Sequence, residues 1–160
     1  MRHDLVIHEA DAARIDAVLE RFLGDSGCAA VLLIDRGGEP LALAGAARTL
    51  DTVSIAALAA GAFSSTAALA RLLGESEFSV FFHEGARESL HVSTVDDDAI
   101  LLAIFDERTT VGMVRLFARE AGVQARAILG EARRRPRRTG VLAAPLTPQE
   151  ARGIIRPRSA

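Results

Sequence analysis

The sequence predicts an α+β layered domain: a five-stranded, mostly antiparallel sheet covered by three helices, in the order α-β-β-α-β-β-β-α. Three observations predict it. Apolar residues recur at helical spacing in three stretches, beginning near residues 10, 51 and 110. Five strand-sized apolar or β-branched runs lie between them. Short turns of Gly, Asp and Glu join those runs as a hairpin and a meander, which pairs neighbours antiparallel.

Ala10–Leu23 carries Ile15, Val18, Leu19, Phe22 and Leu23 on one stripe, with Asp11, Arg14 and Arg21 off it, and Asp25-Ser26-Gly27 ends it. Ala29–Asp35 is an apolar run of strand length, expected as a buried central strand. Arg36–Pro40 turns the chain through Gly37 and Gly38. Leu41–Ala46 returns as the paired strand, with Pro40 at its start, where proline is tolerated. Asp51–Gly74 is a long helix, capped by Asp51 or Thr52 and stopped by Gly74. Its core stripe is expected at Ile55, Leu58, Ala62, Leu69, Leu72 and Leu73. Ser79–Glu84, Ser89–Val95 and Ala99–Asp106 form the meander, turning at Gly85-Ala86-Arg87 and Asp96-Asp97-Asp98. Thr109 or Thr110 caps the last helix, which runs to Arg134 with Val114, Phe117, Ala118, Ala121, Ala125, Ile128 and Leu129 inward.

The 160 residues are 49% hydrophobic and 25% charged, enough for one domain, expected over residues 1–132, with a basic tail over 133–160. The longest unbroken apolar run, Ala99–Phe105, is strand-sized and falls short of a membrane span. The first residues lack the apolar segment of a secretory signal, so the expected location is cytoplasmic. A lone Cys28 excludes a disulfide within the chain and any multi-cysteine metal site, and its apolar neighbours make it buried and inert. All 19 basic residues are Arg. Without Lys there is no Walker A lysine, no kinase strand lysine and no Schiff base. With no Trp or Tyr and seven Phe, the chain has few aromatics for base stacking, which argues against single-stranded nucleic acid as a partner.

Charge is uneven along the chain. Residues 1–130 hold 11 Arg and 19 acids, and residues 131–160 hold eight Arg and two Glu. The densest run, 133–138, reads either as a solvated helix end favoured by the helix dipole, or as a contact with an acidic protein, lipid surface or nucleic acid. Further on, Thr147 and Glu150 form a capping box with Pro148 at the first helical position. A helix over 147–155 is too short to stand alone in water. It either frays or folds onto a partner through Leu146, Ala151, Ile154 and Ile155.

No catalytic constellation, cofactor motif or metal motif is present. Ser64-Ser65-Thr66 lie within a helix without a base in sequence reach. His83 and His91 flank one hairpin without a third ligand, and Asp96-Asp97-Asp98 lacks the EF-hand pattern. Two surfaces stand out instead. Ala57, Gly61, Ser64, Ala68 and Arg71 form one helical face, four of its five side chains very small. That face either packs within the domain or against a symmetric copy, or it receives another helix or backbone at close range. Ser79–Glu84, with Val80, Phe81 and Phe82, opens the meander. At a sheet edge this strand needs cover, and pairing with its own copy across a two-fold axis supplies it.

Val31–Gly45 (VLLIDRGGEPLALAG), Leu50–Gly61 (LDTVSIAALAAG), Leu69–Phe78 (LARLLGESEF), Phe82–Val95 (FHEGARESLHVSTV) and Ile100–Leu116 (ILLAIFDERTTVGMVRL) resemble, in this order, the Roadblock (dynein light chain) superfamily, and within it the bacterial MglB-like branch. The resemblance spans residues 5–130. It implies a Roadblock/profilin-like fold and a homodimer in which the strand at Ser79, Val80, Phe81 and Phe82 pairs with its copy into one continuous sheet. The two middle helices then lie side by side and bind a small Ras-like, MglA-like GTPase, two regulators to one GTPase. Such regulators speed GTP hydrolysis without inserting an arginine, by repositioning the GTPase's own groups, and they act in polarity and gliding motility, at a cell pole. The protein is thus expected to be a GTPase activator, not itself an enzyme. The alternative is a Roadblock adaptor that recruits partners without changing hydrolysis.

Ser64 and Ala68 match the GTPase-facing positions of this branch. Ala57, Gly61 and Arg71 extend the face by helical spacing. Arg14 and Arg115 correspond to polar surface on the opposite helical layer, where another Roadblock or polarity protein docks. Leu146–Ile155 stands where family members carry a segment that touches the GTPase. Here the tail is basic, whereas an acidic tail is familiar in the branch.

Overall fold

The computed structural model describes residues 7–135, and the tail expectations, including Leu146, Ile154 and Ile155, lie outside the described residues. The elements are α1 (Glu9–Ser26), β1 (Ala30–Asp35), β2 (Pro40–Gly45), a 3₁₀ turn (Ala46–Thr49), α2 (Thr52–Leu72), β3 (Val80–His83), β4 (Ser89–Thr94), β5 (Ala99–Phe105) and α3 (Val111–Arg134). The order matches the sequence reading, with the 3₁₀ turn added. Asp51 and Thr110 act as the caps, accepting from the Ser54 and Met113 amides at 3.2 and 3.3 Å.

The sheet is built outward from its two most apolar strands. β1 and β5 pair antiparallel, and every residue of β5 is buried. Strand order is β2-β1-β5-β4-β3, antiparallel throughout, with β2 and β3 at the edges. Alternate residues separate into two cores. Val31, Leu33, Leu101 and Ala103 face α1 and α3, while Leu32, Ile34, Ile100 and Leu102 face α2. A bulge at Leu33/Ile34 shifts the β1–β2 register beside Pro40, which has no ladder donor.

The α1/α3 layer is closed by polar contacts at both ends. Arg14 reaches Glu131 at 2.6 Å, and Arg135 reaches the fully buried Asp11 carboxylate at 2.6 Å. At the other end the Thr109 hydroxyl donates to the Ser26 carbonyl at 2.6 Å. The two helices are therefore antiparallel. Arg133 also returns to the body, pairing with Asp96 at 2.7 Å. The first arginines of the basic run are thus held by acids of the domain.

α2 departs from its expected core stripe. Ala56, Ala60 and Phe63 are its buried residues, whereas Leu58, Leu69 and Leu72 are 74%, 55% and 86% exposed, and Leu73 is exposed too. Ile55 is half-buried and Ala62 exposed. The cause is the near absence of charge: Arg71 is the helix's one charged residue, so its pattern has no polar side to mark what faces out. Alanine also lets the helix backbone approach the sheet where leucine would hold it off. By length and composition α2 could cross a membrane, although no unbroken apolar run is that long. Its seat on the sheet commits one side to the core.

Gly38 sets that approach. Its φ is +95°, and a Cβ there would lie 2.9 Å from the Ala57 Cα. Gly38→Ala is expected to cost about 1–3 kcal/mol from backbone strain, plus displacement of α2. The neighbouring Gly37→Ala, at ordinary φ and against only the Asp35 carboxylate, is expected to cost less. Urea unfolding of the two variants checks this, and equal losses contradict it.

His91 lies on β4 beside Ala103 and Phe82, 2% exposed, with neither ring nitrogen hydrogen-bonded. His83 pairs with Leu90 and so lies on the opposite face. The two histidines of the hairpin do not converge, and no metal-binding group occurs among the described residues. Burial, and then the charge of Arg115, push the His91 pKa below its ordinary 6.5. The folded protein refuses a proton that the unfolded chain accepts. The protonation of His91 therefore takes nothing from stability well above pH 6.5, and stability falls as pH drops through that value. His91→Leu is expected to flatten the decline in urea midpoint between about pH 7.5 and 5.5, with little loss at the upper end. An unchanged slope contradicts it.

Candidate functional site

The described residues present no cluster of nucleophile, base and oriented acid. They do present a large open surface on the α2 side of the sheet. α2 is anchored by one aromatic: the Phe63 ring packs 4.9 Å from Phe78, and the Arg36 guanidinium lies 4.9 Å from its centroid. Ala56 and Ala60 share that seat, and two neighbouring rows of the helix face outward. Ala57, Gly61, Ser64, Ala68 and Arg71 are all exposed, and a Cβ added at Gly61 would meet no heavy atom within 4 Å. The small-residue face is thus an open surface in the single chain.

Sequence spacing did not mark the second row as open. Leu58, Ala62, Ser65, Leu69 and Leu72 lie about 100° round from the small face, also exposed. Large apolar side chains left open in contiguous patches mark an interaction surface. With Arg71 as its one charge, the 21-residue helix offers periodicity no polar side from which to read that openness.

The β3 edge continues this surface. Val80 and Phe81 are half-buried, Ser79 and Phe82 exposed. Phe81 belongs to the α2-side core, while the Phe82 ring stacks 6.2 Å from Phe105 on the other face. The Ser79 carbonyl accepts from Thr94 at 2.8 Å, tying the strand inward to β4. On its outer side no strand pairs with β3 among the described residues. The edge carries no Pro or Lys that would block pairing.

Arg14 and Arg115 are not brought together. Arg14 is engaged by Glu131 and Asp11 on the side of α1 that faces α3. Arg115 is exposed on the β4 side of α3. Cys28 is buried, and burial pushes its thiol pKa up, as an inert cysteine requires.

Comparison with known proteins places this arrangement. The Roadblock/LC7 domain matches residues 14–105. MglB of Myxococcus xanthus is 38% identical, over 80% of this chain and 96% of that one, with a TM-score of 0.74. The gliding protein MglB of Thermus thermophilus is 35% identical, over 82% and 99%, with a TM-score of 0.75. A structure described as MglB with tetrameric arrangement is also 35% identical, over 82% and 99%, with a TM-score of 0.76. No curated protein sequence matches. With the family matched over more than half its length and the fold shared with these structures, the chain belongs to the Roadblock/LC7 family.

Proposed function

We propose that the chain is a homodimeric activator of a small Ras-like GTPase of the MglA type, acting in bacterial polarity or gliding motility, in the cytoplasm and at a cell pole. The observation that carries this reading is the open, almost uncharged α2 face in a chain 35–38% identical to MglB proteins over most of its length. β3 edges of two protomers pair across a two-fold axis, and the α2 helices come to lie side by side. That pairing covers the exposed apolar rows and forms a platform of small residues for the GTPase.

The chemistry of the platform limits how it can act. Ala57, Gly61, Ser64 and Ala68 offer no acid, base or cation to a phosphoryl-transfer transition state. Activation therefore works through positioning: the platform presses on the GTPase switch segments and sets the GTPase's own arginine and water-orienting side chain. Arg71 is the one cation on this face. An arginine donated in trans is worth about 10³–10⁵ in rate. Arg71→Ala is expected to change the stimulated single-turnover rate by no more than about tenfold. A loss near 10³ would make Arg71 a donated finger and overturn the positioning mechanism.

Ser64→Arg with Ala68→Arg is expected to abolish GTPase binding while leaving the far-ultraviolet circular dichroism and the dimeric state in solution unchanged. Retained binding removes α2 as the site. The same lack of chemistry on the platform favours one second reading, an adaptor that recruits partners. Binding without acceleration of hydrolysis selects it.

A further inference from the structure

Residues 132–149 hold five Arg and no Asp or Glu, so the acids that neutralise these cations lie on the domain. Two of the five show it directly. Arg133 takes Asp96 at 2.7 Å, and Arg135 takes the buried Asp11 carboxylate at 2.6 Å. The two side chains leave on opposite sides, because two residues turn a helix about 200°. Arg133 goes to the β4–β5 turn and Arg135 to the first turn of α1. At Arg135 the backbone has already left the helix, with φ −69° and ψ 128°, and the following Pro136 favours that extended geometry. The described chain therefore ends extended and pinned to α1. Arg137 and Arg138 come next and lie outside the described residues.

α1 carries acids on a flank that the domain leaves open. Asp11 and Arg14 face α3. Asp16 lies about 200° round the helix from Arg14, and Glu9 as far round from Asp11. Glu9 and Asp16 are seven residues apart, close to two whole turns, so they share one flank, which points away from α3. Both are exposed, and neither has an ion-pair partner among the described residues. The acids at the β4–β5 turn differ. Asp96, Asp97 and Asp98 line a cleft with Arg126, Arg133 and Arg134, so cations already stand beside them.

We propose that residues 136–138 cross α1 and dock on this flank of their own chain, with Arg137 and Arg138 facing Glu9 and Asp16. The lengths agree. Glu9 and Asp16 are about 10.5 Å apart along the helix, and α1 with its side chains is about 10–12 Å across. Three residues of extended chain beyond Arg135 span about 10 Å, and each arginine adds its own long side chain. Exposed ion pairs are weak one by one. The tether supplies what they lack. Arg135, held by a buried carboxylate, keeps both arginines near the flank at an effective concentration in about the millimolar range. A basic partner protein is the competing occupant of the same acids, and it has no such tether. The contact lies across the sheet from α2, so the root of the tail is held away from the small-residue face and leaves it open.

The test is backbone amide relaxation in the full, nitrogen-15-labelled chain. At about 50 mM salt the heteronuclear NOE of residues 137–139 is expected to match that of α3. E9R/D16R and R137E/R138E are each expected to lower it to the value at Ala160, and about 500 mM salt to do the same to wild type. The variant carrying all four exchanges is expected to restore it, since the reversed charges still face each other. Stiffness that Pro136 imposes by itself would survive every variant, and a lost fold would move the amide shifts of β5 and would not be rescued. Tenfold dilution is expected to change nothing, whereas a loss on dilution places the arginines on a second copy and overturns the proposal. A wild-type tail as mobile as Ala160, an R137E/R138E tail that stays rigid, or a fourfold variant that stays mobile overturns it as well. None of these outcomes depends on whether β3 pairs or a GTPase binds.

Discussion

Two adjacent strands that are apolar on both faces set the terms for the rest of the molecule. β1 and β5 bury their residues against helices above and below, so the sheet requires cover twice over. The chain supplies that cover unevenly. Two helices, locked by Arg14–Glu131, Arg135–Asp11 and the Thr109–Ser26 hydrogen bond, close one face. One helix lies on the other, seated through Ala56, Ala60 and Phe63. The second face is therefore incomplete in a single chain. Its exposed leucines leave an apolar surface open in the single chain.

The seat of that single helix rests on few atoms. Ala56 and Ala60 bury little area, so Phe63 carries most of the hydrophobic contact, roughly 1.5–3 kcal/mol for such a side chain. Its partners hold it from two directions, Phe78 from the segment leading to β3 and Arg36 from the β1–β2 turn. Arg36 also donates to the Asp96 carbonyl at 3.4 Å, and the Asp96 carboxylate holds Arg133. A short run of contacts thus joins the middle of α2 to the last turn of α3, around the end of the sheet. Gly38 completes the junction by letting the same turn touch the α2 backbone.

Where sequence and structure agree, a local rule carries the information. Caps at Asp51 and Thr110, the inward stripe of α3 and the turn at Asp96-Asp97-Asp98 follow from side-chain type and spacing. The small-residue face of α2 was legible in the same way. Its exposure was not, because a helix with one charge has no polar side for periodicity to find. Leu58, Leu69 and Leu72 were placed inward for that reason and lie outward. The relation of His83 to His91 was hidden by a different limit. A one-residue change of register moves a side chain to the other face, and the β3–β4 register is set by tertiary packing.

The two open surfaces of this chain obey different physics, which gives them separate controls. The α2 face and β3 edge are apolar, with Arg71 the one charge on the helix, so contacts there depend on fit and on water released, and ionic strength affects them little. Small residues suit that role because they admit a partner's backbone at close range and impose no charge on it. The outer surface of α1 and α3 bears exposed charges of opposite sign, Glu9 and Asp16 on α1 and Arg119 and Arg126 on α3, beside the exposed Leu116 and Val123. Contacts there gain from Coulomb attraction across a few ångströms, and salt removes most of that gain. A change in ionic conditions therefore acts on the charged layer while leaving the apolar platform intact.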